Sequence, residues 1–339
     1  MKLTMKEIAE QAGVSPATVS RVLNGNADVT QEKREKVMQF VAAESEKKRW
    51  IRHRKKHKDH RIALLLLSGT RSDIRNVGSK IINIADQLPE NYEFQVCSPR
   101  VNAHRLESLF LHGELSGLLL SGHQVEDPFL AFLLEKIPHV WLNSFQLKGQ
   151  PAVALMGNEF AGKIAAGYLI GHHCRRPAVL SYINNNIGLT DRINGFIAAC
   201  YLQKVPGHEI ALKLPRGNAD ELPREGKNLE SAIRTALDRI PAKEFPDGIF
   251  SPEEVLTPFL YRVFMQKKLK KYPRVISCNY TPGYLAGLYP RPASIDLHQE
   301  TVVKLAIDEL INRIEGGVPR PDNIAAVVQP QLIPGEDGL

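Results

Sequence analysis

Little in this chain bonds covalently or catalyses. Its 339 residues include four cysteines, Cys97, Cys174, Cys200 and Cys278. None forms a C-x-x-C or a Cys-His pair at zinc spacing, which argues against a disulfide framework or a common zinc module and leaves reduced thiols in or near a core. His172, His173 and Cys174 are adjacent, but three consecutive side chains do not readily converge on one ion, so no metal site is expected. G-x-G-x-x-G and Walker A sequences are missing after every strand-like run. The nearest approach, GTRSDIRNVG at 69–78, lacks the glycines that pyrophosphate contact requires. With no H-E-x-x-H, no G-x-S-x-G and no paired-carboxylate motif, the expectation is binding without turnover and without a cofactor. No apolar run is long enough to span a bilayer, and the MKLTMKEIAE start has no apolar signal core. A cytosolic protein with no membrane partner is expected.

What is present is an ordinary globular composition, 43% hydrophobic and 24% charged, with enough length for two or three packed units. Its net charge of +7 is unevenly placed. Residues 1–61 hold 15 Lys and Arg against 8 Asp and Glu, while the remaining 278 residues hold 29 of each. All the surplus positive charge therefore sits at one end, the footprint expected of a phosphate-binding module.

That end begins with TMKEIAEQAGVSPATVSRVLN, residues 4–24, whose spacing predicts two short helices and a tight turn. Thr4 and Glu7 fit a capping box, and Met5, Ile8, Ala9 and Ala12 share one face at i, i+3, i+4 and i+7. Gly13 supplies the turn, Ser15 an N-cap and Pro16 the first helical position. In the second helix Val19, Val22 and Leu23 face inward, which leaves Ala17, Ser20, Arg21 and Asn24 on the other side. An apolar back with a small, polar, singly basic front suits a DNA major groove. A generic helical hairpin shares the pattern, so on spacing alone both readings stay open.

The run from Ile8 through Asn24, with A-G-V-S and A-T-V-S-R-V-L-N, followed by Val29, Thr30, Arg34, Lys36 and Val37, closely resembles the amino-terminal headpiece of the lactose-repressor (LacI) family. The resemblance implies a third helix from Gln31 to about Lys47, with Val37, Phe40 and Val41 closing a small core. It also implies base contacts at Pro16, Ala17 and Arg21 and phosphate contacts at Ser15, Thr18 and Asn24. For Arg21 there is a direct physical argument too, since its fork matches guanine O6 and N7.

KKRWIRHRKKHKDHR, Lys47 to Arg61, carries nine Lys or Arg, three His and one Asp. A solvated linker is one reading. The other is phosphate contact through Arg52, Arg54, Lys55 and Lys56, which adds affinity and salt dependence but no sequence information. The hinge departs from the resembled family: Trp50, Ile51, Arg52 and His53 replace Tyr-x-Pro-Asn, and the Ala-Arg-x-Leu signature is missing.

From Ile62 strand-like and helical segments alternate, beginning with IALLLLS (62–68) and a helical spacing from Ile74 to Ala85. This is the signal for parallel sheets covered by helices. Among the expected elements are strands at 115–121, 177–183, 274–279 and 324–333 and helices at 159–170, 191–203, 253–271 and 299–315. The expected fold is an all-α helix-turn-helix headpiece (1–47), a basic hinge (48–61) and an α/β core (62–339) of two doubly wound parallel-sheet subdomains. The first subdomain would be about 62–157 plus 298–318, the second about 158–297 plus 319–339.

The core also resembles the LacI family's effector domain, itself similar to periplasmic sugar-binding proteins. The resemblance rests on Asn158, Ala161 and Gly162 (N-x-x-A-G), the G-H segment from Gly171 to Arg176, and D-R-I-N-G-F at Asp191 to Phe196. It implies that Arg192 clamps effector hydroxyls or a carboxylate in a cleft between subdomains. Asn279 replaces the family's effector-binding aspartate, and Glu253, in place of a neutral amide, is either a solvated helix start or a cleft charge that favours an amino or otherwise cationic group. Asn185, in the Asn184–Asn186 loop, follows a strand where open α/β sheets place ligands. The implied protein is a homodimeric transcription regulator, a repressor, that binds a near-palindromic double-stranded DNA operator and answers to a small sugar or sugar derivative. A ligand-independent DNA-binding dimer remains the alternative, motivated by the altered hinge and cleft positions.

Overall fold

Ser15 shows how the chain starts its second helix: its Oγ accepts a hydrogen bond from the Thr18 backbone N–H at 3.1 Å, which satisfies one of the amides a helix start leaves open. The computed structural model describes residues 5–23, 29–30, 32–40, 60–67, 88–97, 99–121, 127–142, 154–182, 187–214, 226–269, 271–321 and 325–336. Helix α1 is Met5–Ala12 and α2 is Pro16–Leu23. Gly13 joins them at φ 64°, in the region that favours glycine. Residues 32–40 are also helical (α3). Ile8, Ala9, Ala12, Val19, Val22, Val37 and Met38 are buried, and Val14, Val29 and Phe40 pack partly buried against them. Met5, expected on the buried face, is 43% exposed. It is the first residue of its helix, ahead of the turn that meets the core.

The chain divides into two units, 1–155 with 300–326 and 156–299 with 327–339. Unit 1 holds a parallel four-stranded sheet of order β2-β1-β3-β4, formed by β1 (His60–Leu66), β2 (Tyr92–Cys97), β3 (Leu115–Ser121) and β4 (His139–Leu142). Alternation places Ile62 and Leu64 of β1 against helix α11 (Gln299–Ile314), in a cluster with Ala306, Ile307 and Leu310. Ala63 and Leu65 join the opposite cluster, with residues of α4 (Pro99–Leu111) and α5 (Pro128–Lys136). Strand β1 begins two residues earlier than expected, so His60 and Arg61 are not hinge. His60 stacks on Tyr92 at 4.8 Å, and Arg61 pairs with Glu93 at 2.7 Å and with Glu114. Those partners are why two basic residues are accommodated in a strand.

Unit 2 holds a six-stranded sheet of order β12-β10-β9-β8-β6-β7. Its parallel members are β6 (Pro177–Tyr182), β7 (His208–Leu212), β8 (Gly248–Ser251), β9 (Arg274–Cys278) and β10 (Ala293–Asp296), and β12 (Gln331–Ile333) pairs antiparallel with β10. Val179, Phe250 and Ile276 face α6 (Asn158–Gly171) and α7 (Ile187–Leu202). Ala178, Ile249 and Val275 face α8 (Gly226–Asp238) and α9 (Thr257–Gln266).

Three local expectations are corrected. The expected strand 324–333 is two short strands, β11 (Ala326–Val328) and β12. Pro330 lies between them and has no N–H for a ladder. Helix 253–271 resolves into a 3-10 turn, Glu254–Leu256, followed by α9, which has a proline in its first turn. Helix 191–203 begins at Ile187, so Arg192 lies inside the helix and not at its start. The helical spacing 74–85 and most of the strand expected at 151–157 lie outside the described residues. A short β5 (Ala154–Met156) pairs with β11, and a single helical turn, α10 (Pro282–Leu285), precedes β10.

Candidate nucleic-acid interface and ligand site

Helix α2 buries its back at Val19 and Val22 and presents its front to solvent. Ser15, Pro16, Ala17 and Arg21 are exposed, and Thr18 and Ser20 are half-buried. Thr18 Oγ1 lies 2.9 Å from Ser15 Oγ, so two small polar side chains sit together at the helix entry. A firm helix with one cation among small side chains can lie close to base edges. Asn24, Arg52, Arg54, Lys55 and Lys56 lie outside the described residues.

The described residues expected to meet a ligand, Arg192, Glu253 and Asn279, all belong to unit 2 and gather at the carboxyl edge of its parallel sheet, beside a backbone-to-backbone helix contact. A Cβ on Gly162 of α6 would stand 2.0 Å from Arg192 O and 2.6 Å from Phe196 N, and one on Gly195 of α7 would stand 2.2 Å from Glu159 O. Only glycine permits that approach. It brings Arg192, 7% exposed, against Asn158: Nε donates to Asn158 Oδ1 at 2.9 Å, and Nη1 donates to Pro252 O at 2.6 Å.

Next to Pro252, Glu253 Oε2 accepts the Tyr182 hydroxyl at 2.5 Å. Burial pushes the Glu253 carboxyl above its ordinary range, opposed by the Tyr182 bond and the Arg192 charge. Burial, followed by the Glu253 charge, raises the Tyr182 hydroxyl far above its own. Glu254, 1% exposed, accepts from Ser277 Oγ at 3.2 Å, from Ser294 Oγ and from the Thr281 N–H. Asn279 leaves β9 at φ 115°, followed by Tyr280 at φ 49°, a pair of backbone conformations that non-glycine residues seldom adopt. The Asn279 backbone N–H donates to Ile295 O at 3.0 Å, whereas its side-chain Oδ1 is buried with no hydrogen-bond partner among the described residues. A buried acceptor without a donor is costly and is where a ligand donor would be rewarded.

Three of the four expected ligand residues, Arg192, Glu253 and Asn279, thus belong to this edge. Asn185 lies outside the described residues. Sequence reasoning missed Tyr182 and Glu254 as members. Asn158 stands out in the sequence only as the first residue of N-x-x-A-G, a place that could identify it as the partner of Arg192. A separate groove of about 160 Å³, lined by residues including Lys213, Asn228, Ser231 and Arg239, contains none of the expected ligand residues.

All four cysteines are free and buried, and burial pushes each thiol up to about 11, which keeps them protonated and poorly nucleophilic. His172 Nδ1 lies 2.8 Å from Tyr168 O, while Cys174 Sγ donates to Asp247 O at 3.6 Å. Among the described residues no cluster of His, Cys, Asp or Glu could hold a metal, and no helix is long and apolar enough to cross a membrane.

Residues 4–45 match the family model described as bacterial regulatory proteins, lacI family. Over 335 residues, 97% of each chain, the sequence is 22% identical to the ribose operon repressor of Haemophilus influenzae. Among solved structures the chain resembles a transcriptional regulator CelR–cellobiose complex, with a TM-score of 0.64 and 20% identity over 99% of this chain and 100% of that one. It also resembles the lac repressor dimer bound to operator and the anti-inducer ONPF, with a TM-score of 0.62 and 16% identity over 99% and 98%. At these identities the structures establish a shared fold.

Proposed function

We propose, from the match of residues 4–45 to the model of bacterial regulatory proteins of the lacI family, that this chain is a cytosolic, homodimeric, sequence-specific DNA-binding transcription regulator of that family. It acts as a repressor and is modulated by a small carbohydrate-like effector. The observation that carries this reading is α2, capped by Ser15, fixed at its back by Val19 and Val22, and open to solvent at Pro16, Ala17 and Arg21. Pro16, Ala17 and Arg21 read base edges, Ser15, Thr18 and Asn24 hold the phosphate backbone, and Ser20 shares the DNA-facing front of the helix. Arg52, Arg54, Lys55 and Lys56 add non-specific attraction. One reading helix covers only a few base pairs, so two copies on a near-palindromic operator supply the second half-site. Effector and operator affinities are then linked by a coupling free energy.

The test is a titration of the full chain with a palindromic duplex enriched by selection and with random duplex at several salt concentrations. Equal affinity for the two at physiological ionic strength would refute the proposal.

A ligand-independent dimer is the second reading, and one observation favours it. The guanidinium of Arg192 and the carboxylates of Glu253 and Glu254 already bond within the protein. The partnerless Asn279 Oδ1 weighs toward an effector. A thermal-shift screen over sugars separates the two, since a ligand at 100 times its dissociation constant stabilises the folded chain by roughly 2.7 kcal/mol.

A further inference from the structure

We infer that the carboxyl edge of the unit 2 sheet selects an effector that carries a protonated amine on a hydroxylated frame, held between Glu253 and Asn279, and disfavours phosphorylated and acidic sugars. This rests on the effector-responsive reading above and specifies the ligand's chemistry.

Geometry comes first. Strands β8 and β9 are adjacent and parallel, with Ser251 in register with Ser277. Glu253 and Asn279 each stand two residues beyond that pair, on chains that leave neighbouring strands about 4.8 Å apart. Both present acceptors. Glu253 Oε2 takes the Tyr182 hydroxyl, which leaves Oε1 without a donor among the described residues. Asn279 Oδ1 is buried and has none. A ligand seated here is therefore rewarded for bringing donors, and the donor facing a carboxylate gains most when it is cationic.

Charge makes the same choice. Arg192 Nη1 donates to Pro252 O, in the residue just before Glu253 and Glu254, so these three side chains lie in one neighbourhood: two carboxylates against one guanidinium. The guanidinium is directed at neutral acceptors, Asn158 Oδ1 and Pro252 O. Glu254 is saturated by two serine hydroxyls and a backbone N–H and keeps its place behind the site. An incoming phosphate or carboxylate would meet a net negative edge whose cation is already engaged. An ammonium would meet a half-paired carboxylate.

The test uses the full chain and matched probes: D-glucose, D-galactose and D-mannose, each beside its 2-amino-2-deoxy analogue and its 6-phosphate, measured by calorimetry at pH 7. At least one amino sugar is expected to bind roughly tenfold more tightly than its neutral parent, the gain of a charge-assisted over a neutral hydrogen bond. The 6-phosphates are expected to bind more weakly than the parents. Glu253→Gln is expected to erase the amine preference.

The inference is overturned if every neutral parent equals or exceeds its amine, if a phosphate binds best, if Glu253→Gln keeps the preference, or if no amino sugar binds. Should that variant fail to fold, the wild-type ranking decides alone. Operator binding by the same preparation separates the two levels: if it persists, only the inference fails, and if it is absent, the regulator reading falls as well.

Discussion

Arg192 and Asn158 are joined by a 2.9 Å hydrogen bond from Nε to Oδ1 between residues 34 positions apart, on two helices whose backbones touch at Gly162 and Gly195. The bond is the product of the glycine contact. Were α6 and α7 spaced by ordinary side chains, the guanidinium would lie farther from its acceptor.

Removing either support should therefore register in stability. Asn158→Ala strands a buried charged donor, an expected cost of about 1–3 kcal/mol. Gly162→Ala forces a methyl group into Arg192 O, and an overpacking cost of about 1–3 kcal/mol or more follows. Urea denaturation of each variant measures both. Operator binding by the intact headpiece should survive in each.

Arg21→Ala should reduce the preference for operator over random duplex by about 1–3 kcal/mol, because it removes the one forked cation on the exposed front of α2. Neutralising Lys55 and Lys56 together should instead weaken all duplexes alike and lower the salt slope by about 1 per residue. Titrations at four or five salt concentrations distinguish the two patterns.

Ser15→Ala removes the oxygen that caps the Thr18 amide. A loss of about 1 kcal/mol in headpiece stability is expected, read as an earlier melting of its helical signal. Ser15→Asp should restore most of it.

Glu253 has a carboxyl raised above the ordinary carboxylate range in the fold, chiefly by burial. Between the unfolded and the folded pKa the folded chain holds a proton that the unfolded chain has released, so this group's contribution is fully present below the unfolded pKa. It is lost as pH rises through the folded one. Glu253→Gln, which mimics the protonated form, should remove that dependence. The stability difference between variant and wild type, from urea melts between pH 4 and 8, should grow in favour of the variant as pH rises.

Much of this was legible in residue order. The apolar run at Ile62 to Leu67 reads as a strand, and its alternation between two helical layers follows from the pleat alone. Ser15 announces its cap. N-x-x-A-G and D-R-I-N-G-F were each visible as motifs, but that Gly162 of one and Gly195 of the other are halves of a single contact depends on a crossing that linear spacing does not encode. The Tyr182–Glu253 bond spans 71 positions and was hidden for the same reason. Glu253 and Glu254 are chemically identical in the sequence, and only the position of Ser277, Ser294 and Thr281 makes the second a buried structural group. β10 is four residues long, too short for a period to stand out.

The pairing of β12 with β10 makes Gln331–Ile333 a guard. It follows β10 only after the whole of α11 and runs against the direction of its neighbours. A chain stopped ahead of Gln331 would leave Ser294, Ile295 and Asp296 with open backbone groups on that side, a template for sticking to a second molecule. Loss of a few residues there should therefore turn a well-behaved protein into one that clumps, with the DNA-reading end chemically untouched.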